Sequence, residues 1–142
     1  LGLQDKVVFT GPQDVKSWYP SLDVMVLTSV SEGQPLVILE AFVEGVPCVS
    51  TDVGGCSEII LGGSDEDKSL GRAGFITQVG SPEETAAAII QLARDPKLQA
   101  QQRQAGRERV RRYYDQKDMI ARYLNLYQKW MTREVSPGRN RL

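Results

Sequence analysis

The sequence predicts an α/β fold built on a parallel sheet, and three observations carry that expectation. The apolar run Val24 to Leu27 is followed by a polar loop, an apolar helical stretch from Pro35 to Phe42, and a second apolar run from Cys48 to Thr51. Strand, helix and strand in that order make parallel neighbours. Gly45-Val46-Pro47 supplies the stop between the helix and the second strand. Both strands lead into glycine-bearing loops, T-S-V-S-E-G-Q and T-D-V-G-G, which places two loops side by side at the carboxyl edge of one sheet, where such folds bind ligands.

Taken in order, Lys6 to Thr10 is predicted to be a short strand, β-branched and aromatic, ended by Gly11-Pro12. Asp14 is placed to cap a short helix from Val15 to Tyr19, with Trp18 and Tyr19 packing inward. Val24 to Leu27 is predicted to be fully buried. Pro35 is assigned the first position of the next helix, because its φ is pre-set for a helix and its missing N–H would have no partner there. The glycines of Thr51-Asp52-Val53-Gly54-Gly55 serve either close approach by a ligand or the tight turn into a helix from Ser57 to Leu61, with Glu58 near that helix's positive end.

Gly62 to Gly71 is polar, charged and glycine-rich, and is predicted to be an exposed, disorder-prone loop. Gly74 to Thr77 is a last short strand. Ser81-Pro82-Glu83-Glu84 is a helix start with Ser81 as cap, and Ala86, Ile89, Ile90 and Ala93 form the apolar face that follows. Pro96 opens a helix to about Tyr114 with few apolar residues, Leu98, Ala105 and Val110 among them, which places it on the surface. From Gln116 a final helix carries Met119, Ile120, Tyr123, Leu124, Tyr127, Trp130 and Met131 as one apolar and aromatic stripe. Residues 1–133 are read as one domain, and 134–142, with Pro137 and Gly138, as a disordered tail.

The whole chain, 142 residues and 41% hydrophobic, holds one compact domain. No apolar run approaches the roughly 18 residues of a membrane span, and no signal peptide is visible. Opening on Leu1-Gly2-Leu3 without Met, the chain reads as a piece of a longer protein. With no His and only Cys48 and Cys56, a zinc site lacks ligands; two reduced thiols in a cytoplasmic protein are the expectation, with neither metal nor cofactor. The net charge of −1 hides an asymmetry. Residues 1–93 carry four bases against thirteen acids, and residues 94–142 thirteen bases against five acids. No nucleic-acid motif accompanies the basic end, so nucleic acid is not expected as a partner. Solvated helix faces, or peripheral contact with a bacterial membrane surface, account for the bases equally well.

The loop from Thr28 to Pro35 is where chemistry is expected. Gly33 admits a ligand close to the backbone, and the helix start favours an anion such as phosphate. Two carboxylates, Glu32 in the loop and Glu40 in the helix, frame that start. Acids repel phosphate but accept hydrogen bonds from neutral hydroxyls, so a diphosphate between two hydroxyl-bearing rings matches the layout. An ordinary loop acid and a solvated helix residue would give the same spacing.

S-E-G-Q-P-L-V-I-L-E-A, followed by E-G-V-P-C-V-S-T-D-V-G-G and E-I-I and preceded by L-G-L-Q-D-K-V-V-F-T-G, resembles the C-terminal domain of family 4 retaining glycosyltransferases of the GT-B fold. The Q-P-L loop, G-G-C and R-E-R-V-R-R-Y-Y are most similar to the bacterial Pel-type exopolysaccharide glycosyltransferases. The resemblance implies a Rossmann-like domain, the partial C-terminal half of a GT-B enzyme, that binds a nucleotide-sugar donor, a UDP-sugar above all. It implies that Glu40 holds the ribose hydroxyls and that Glu32 approaches the donor sugar as the catalytic contact. The backbone around Gly33, Gln34, Leu36 and Val37 would face diphosphate and sugar.

Many relatives carry Gly where this chain has Pro35, which donates no N–H. Thr10 and Gly11 are either base contacts or a plain strand end and turn. The family's basic residues for the departing diphosphate and its acceptor-binding N-terminal domain lie outside this stretch, so the chain alone is not expected to catalyse. Two other readings stand beside this one: a non-catalytic nucleotide-binding or assembly module, and a GT-B nucleotide-sugar epimerase. An unpaired sheet edge and the aromatic helix, without the partner the parent supplies, lead to the expectation of a homodimer.

Overall fold

The computed structural model describes residues 2–133. Three parallel strands, β1 (Met25–Leu27), β2 (Cys48–Thr51) and β3 (Gly74–Thr77), form a sheet in the order β1-β2-β3, with Met25 opposite Cys48 and Cys48 opposite Gly74. The predicted α/β class and parallel sheet are therefore present. The helices are α1 (Leu36–Glu44), α2 (Cys56–Leu61), α3 (Asp65–Lys68), α4 (Pro82–Arg94), α5 (Pro96–Tyr113) and α6 (Gln116–Arg133).

Alternation along the strands divides the core between two faces. Cys48 packs with Ile38, Ala41, Phe42, Ile59, Ile60 and Ala105 from α1, α2 and α5, whereas Val49 packs with Ala88 and Leu92 of α4. The result is three layers, helix on sheet on helix. Full burial of Phe42 and Ile38 stabilises this arrangement by about 1.5–3 kcal/mol each.

Several expectations are corrected, each for a tertiary reason. Residues 6–10 form no strand; Val8 and Phe9 are 82% and 94% exposed, since no neighbouring strand takes up their backbone groups. The predicted helix from Val15 to Tyr19 is two 3₁₀ turns, Val15–Ser17, capped by Asp14, and Tyr19–Ser21. β1 is an edge strand that pairs on one side alone, and it is not fully buried: Val26 is 41% exposed. Trp18 is likewise half-exposed, while Tyr19 packs inward as expected.

The segment 62–71 is ordered. Within it lies α3, and Asp67 is buried beneath Arg109, whose guanidinium donates to Asp67 Oδ1 (2.6 Å), Ile60 O (2.8 Å), Asp67 O (3.1 Å) and Gly71 O (2.8 Å). Asp67 Oδ2 in turn accepts from the Gly63 N–H at 3.0 Å. Each polar group of the cluster that leaves water thus gains a partner.

α5 lies on the surface as expected, but one face of it is buried despite its few apolar residues. Gln102, Ala105, Gly106 and Arg109 are buried. A Cβ on Gly106 would stand 2.9 Å from the Phe42 ring, so glycine lets the two helices close on each other. At the end of α1, Gly45 takes the left-handed conformation (φ 75°) and Arg107 donates to Glu44 O at 2.8 Å, placing a cation at the negative helix terminus.

α4 starts at Pro82 as predicted, but the Ser81 side chain makes no capping bond. Its buried face runs through Ala88 and Leu92, with Ile89 packed beside them as expected, while Ala86, Ile90 and Ala93 are exposed. The sheet selects which of two adjacent apolar stripes is covered. On α6 every residue from 116 to 131 is exposed, so its stripe does not fold back onto the domain. No helix among the described residues is long and apolar enough to cross a membrane. The tail read as disordered, 134–142, lies outside the described residues.

Candidate active site

The loop between β1 and α1 opens at the carboxyl edge of the sheet. Ser29 Oγ donates to Glu32 Oε1 at 2.6 Å, the short distance of a hydrogen bond to an ionised acceptor, and this holds the half-buried Glu32 carboxylate. Gly33 and Gln34 are exposed, while Pro35 is buried. Pro35 is the residue before the helix, not its first member: it is extended (φ −73°, ψ 104°), and its carbonyl accepts from the Ile38 N–H at 3.2 Å. The helix therefore opens at Leu36 and Val37, 64% and 38% exposed, whose N–H groups have no preceding turn to bond. Positive dipole and orphan donors coincide at the loop.

Glu40 lies about one turn further along α1. Its Oε2 accepts from the Tyr19 hydroxyl at 3.0 Å. Tyr19 is buried, and burial first, with the adjacent Glu40 carboxylate second, pushes its pKa up to about 12. The hydroxyl is thus a donor throughout the neutral range.

The second loop braces the first. Thr51 Oγ1 donates to Ser29 O at 2.6 Å, and the Gly55 N–H to Gly33 O at 2.7 Å. Gly54 has φ +51°, and a Cβ there would stand 2.1 Å from Glu32 O. Its glycine is required by the left-handed backbone and by contact with the first loop. Neither of the two roles expected for the Gly54-Gly55 pair included that contact. The Ser57 hydroxyl donates to Asp52 and ties the second loop to α2.

The structure thus brings Glu32, Gly33, Gln34, Pro35, Leu36, Val37 and Glu40 together around one helix start. It leaves Thr10 and Gly11 exposed, bonded to each other and to Gln13. Tyr19, Ser29 and Thr51 escaped the sequence reading as site residues. Thr51 is recognisable in retrospect as the last residue of a strand ending beside the loop, but nothing in the local sequence links Tyr19 to Glu40, 21 residues away. Shallow depressions along α5, beside Arg103, Arg107 and Glu108, belong to neither loop.

A family model described as "Glycosyl transferases group 1" matches residues 1–95. N-acetyl-alpha-D-glucosaminyl L-malate synthase of Bacillus anthracis is 34% identical over 128 residues, covering 89% of this chain and 32% of that protein. The lipopolysaccharide core biosynthesis mannosyltransferase LpsB of Rhizobium meliloti is 46% identical over 66 residues, 46% of this chain and 19% of the relative. Among solved structures, sucrose-phosphate synthase from Thermosynechococcus elongatus superposes with a TM-score of 0.80 at 25% identity, over 92% of this chain and 32% of that one. The chain therefore spans about a third or less of the length of each of these proteins. With the matched model covering both loops and all three strands, the chain belongs to the group 1 glycosyl transferase family and has the α/β fold of its GT-B members.

Proposed function

We propose that this domain is the donor-binding part of a retaining glycosyltransferase, which moves a sugar from a nucleotide sugar, a UDP-sugar, to a polysaccharide or glycan acceptor, as the Pel-type exopolysaccharide enzymes do. The observation that carries this reading is a pair of carboxylates, each steadied by a hydroxyl, on either side of an exposed helix start. The helix start suits the diphosphate, through the backbone around Gly33, Gln34, Leu36 and Val37. The carboxylates suit neutral hydroxyls: Glu40 those of the ribose, and Glu32 those of the donor sugar at the reacting end. The relatives' names combine different sugars and acceptors, an L-malate among them, which fits an acceptor bound by a separate N-terminal domain. Cys48 and Cys56, both buried free thiols, fit a cytoplasmic enzyme.

Calorimetry of the full-length protein against UDP-, GDP- and ADP-sugars tests the reading. Saturable binding of a UDP-sugar is expected, and a full-length protein that binds none of them would overturn it. Charge on the leaving diphosphate must be stabilised for transfer, and this task is assigned to basic residues outside the stretch. The isolated chain is accordingly expected to bind UDP weakly and to transfer no sugar. A radiolabelled-donor assay that detects transfer by the 142-residue chain alone would contradict this.

The isolated chain is also expected to self-associate as a two-fold dimer. On α6, Tyr123, Tyr127 and Trp130 are 55%, 61% and 60% exposed, and β1 presents an unpaired edge; an aromatic stripe and an open edge of this kind favour association. Light scattering over a concentration series measures it. A mass that stays monomeric at high micromolar concentration rejects the dimer.

A further inference from the structure

We propose that Tyr19 is a positioning residue for Glu40: its buried hydroxyl occupies one carboxylate oxygen and so turns the other towards the ribose of the bound nucleotide. The inference rests on the assignment of Glu40 to the ribose.

The geometry makes the carboxylate the principal acceptor of this hydroxyl. Tyr19 Oη lies 3.0 Å from Glu40 Oε2 and 3.4 Å from Val37 O, and the longer separation is beyond the usual range for O–H···O. The donor is rigid. Tyr19 is 5% exposed, opens a 3₁₀ turn fixed by Pro20, and its ring belongs to the core cluster with Ile38 and Ala41 of α1. A tyrosine has two side-chain torsions, and both are settled by that packing.

Glu40 by contrast is only half-buried on the helix surface, where a glutamate samples several rotamers and loses that freedom on meeting a ligand. The Tyr19 bond removes it in advance, which is preorganisation. Glu40 Oε1 accepts no hydrogen bond among the described residues. The pair therefore presents one held oxygen and one vacant acceptor a turn beyond the helix start that suits the diphosphate.

A purely structural role would also satisfy a buried tyrosine hydroxyl, and the two roles differ in what a ribose without hydroxyls reports. Tyr19→Phe, Glu40→Gln and the double variant are compared by calorimetry in the full-length protein. The probes are whichever of UDP, GDP and ADP binds tightest and the 2′,3′-dideoxy form of the same nucleotide. Tyr19→Phe is expected to weaken the ribonucleotide by about 3- to 10-fold, the usual worth of one hydrogen bond, and to leave the dideoxy form within about twofold. On the Glu40→Gln background the same change should add less than about twofold, because a shared interaction is lost only once.

Equal losses for both nucleotides would assign Tyr19 a merely structural role and overturn the proposal. Retention of full affinity by Tyr19→Phe, with a loss in Glu40→Gln confined to the ribonucleotide, would overturn the proposal and leave Glu40 at the ribose. An unchanged Glu40→Gln, an equal loss of both forms in that variant, or no binding of any of the three nucleotides would instead remove the underlying assignment. Dideoxynucleotide binding on the same preparation confirms that each variant is folded.

Discussion

Arg109→Ala is expected to lower the stability of the domain by about 3–5 kcal/mol, the cost of breaking a buried ion pair by removing one partner. Arg109 and Asp67 have side chains 0% and 5% exposed and are joined at 2.6 Å. Truncation leaves the Asp67 carboxylate in a site from which water is excluded, and strips the donor from Gly71 O, while Ile60 O keeps the Ala73 N–H. Unpaired buried acceptors add to the cost. The effect should spread beyond the pair, because the same guanidinium ties α5 to the end of α2 and to the segment 62–71. Urea unfolding measures the loss, and hydrogen exchange should show the Gly63 N–H, which donates to Asp67, losing protection first. A loss below about 1 kcal/mol would mean that water reaches the pair and that the cluster is not a closed one. Arg111, exposed and paired with Glu108 on the surface of α5, is the control, and its replacement should change stability little.

On the proposed assignment of Glu40 to the ribose, Glu40→Gln in the full-length protein is expected to weaken nucleotide-sugar binding by about 1.5–3 kcal/mol, the range for a hydrogen bond to a charged group, or about 10- to 150-fold in Kd. Glutamine keeps the length of the side chain and an oxygen that Tyr19 can still reach, so stability should be nearly unchanged while affinity falls. Loss of the negative charge removes the acceptor suited to two vicinal hydroxyls, and the amide that replaces one oxygen offers a donor where an acceptor is needed. Nucleotide affinity that is unchanged in this variant would take Glu40 out of the site.

The parts of this molecule that were legible in the sequence are those governed by neighbours in the chain. Val24 to Thr51 carries its own signals, apolar runs of strand length on each side of a helix punctuated by Pro35, Gly45 and Pro47, and the parallel pairing of β1 and β2 follows from that order. The glycine loop and its two acids were visible for the same reason, since a helix start and residues four or five positions away have a fixed relation. What only the tertiary structure decided depends on groups distant in the chain. Residues 6–10 have strand composition but no partner, and a strand is stable only when its N–H and C=O groups are paired. Gly62 to Gly71 reads as an exposed, disorder-prone loop, and the burial of Asp67 within it follows only once Arg109, 42 residues further on, is placed over it. The buried face of α5 has no apolar signal because it is built from Gly106, Ala105, Gln102 and Arg109; Gly106 is buried by close approach to Phe42 and Arg109 by polar partners on other elements. The bond from Tyr19 to Glu40 and the brace of Thr51, Gly54 and Gly55 on the first loop belong to the same class. Periodicity reports which residues share a face of one element, whereas the atoms that hold the candidate site loop in place come from several elements, and their meeting is set by packing.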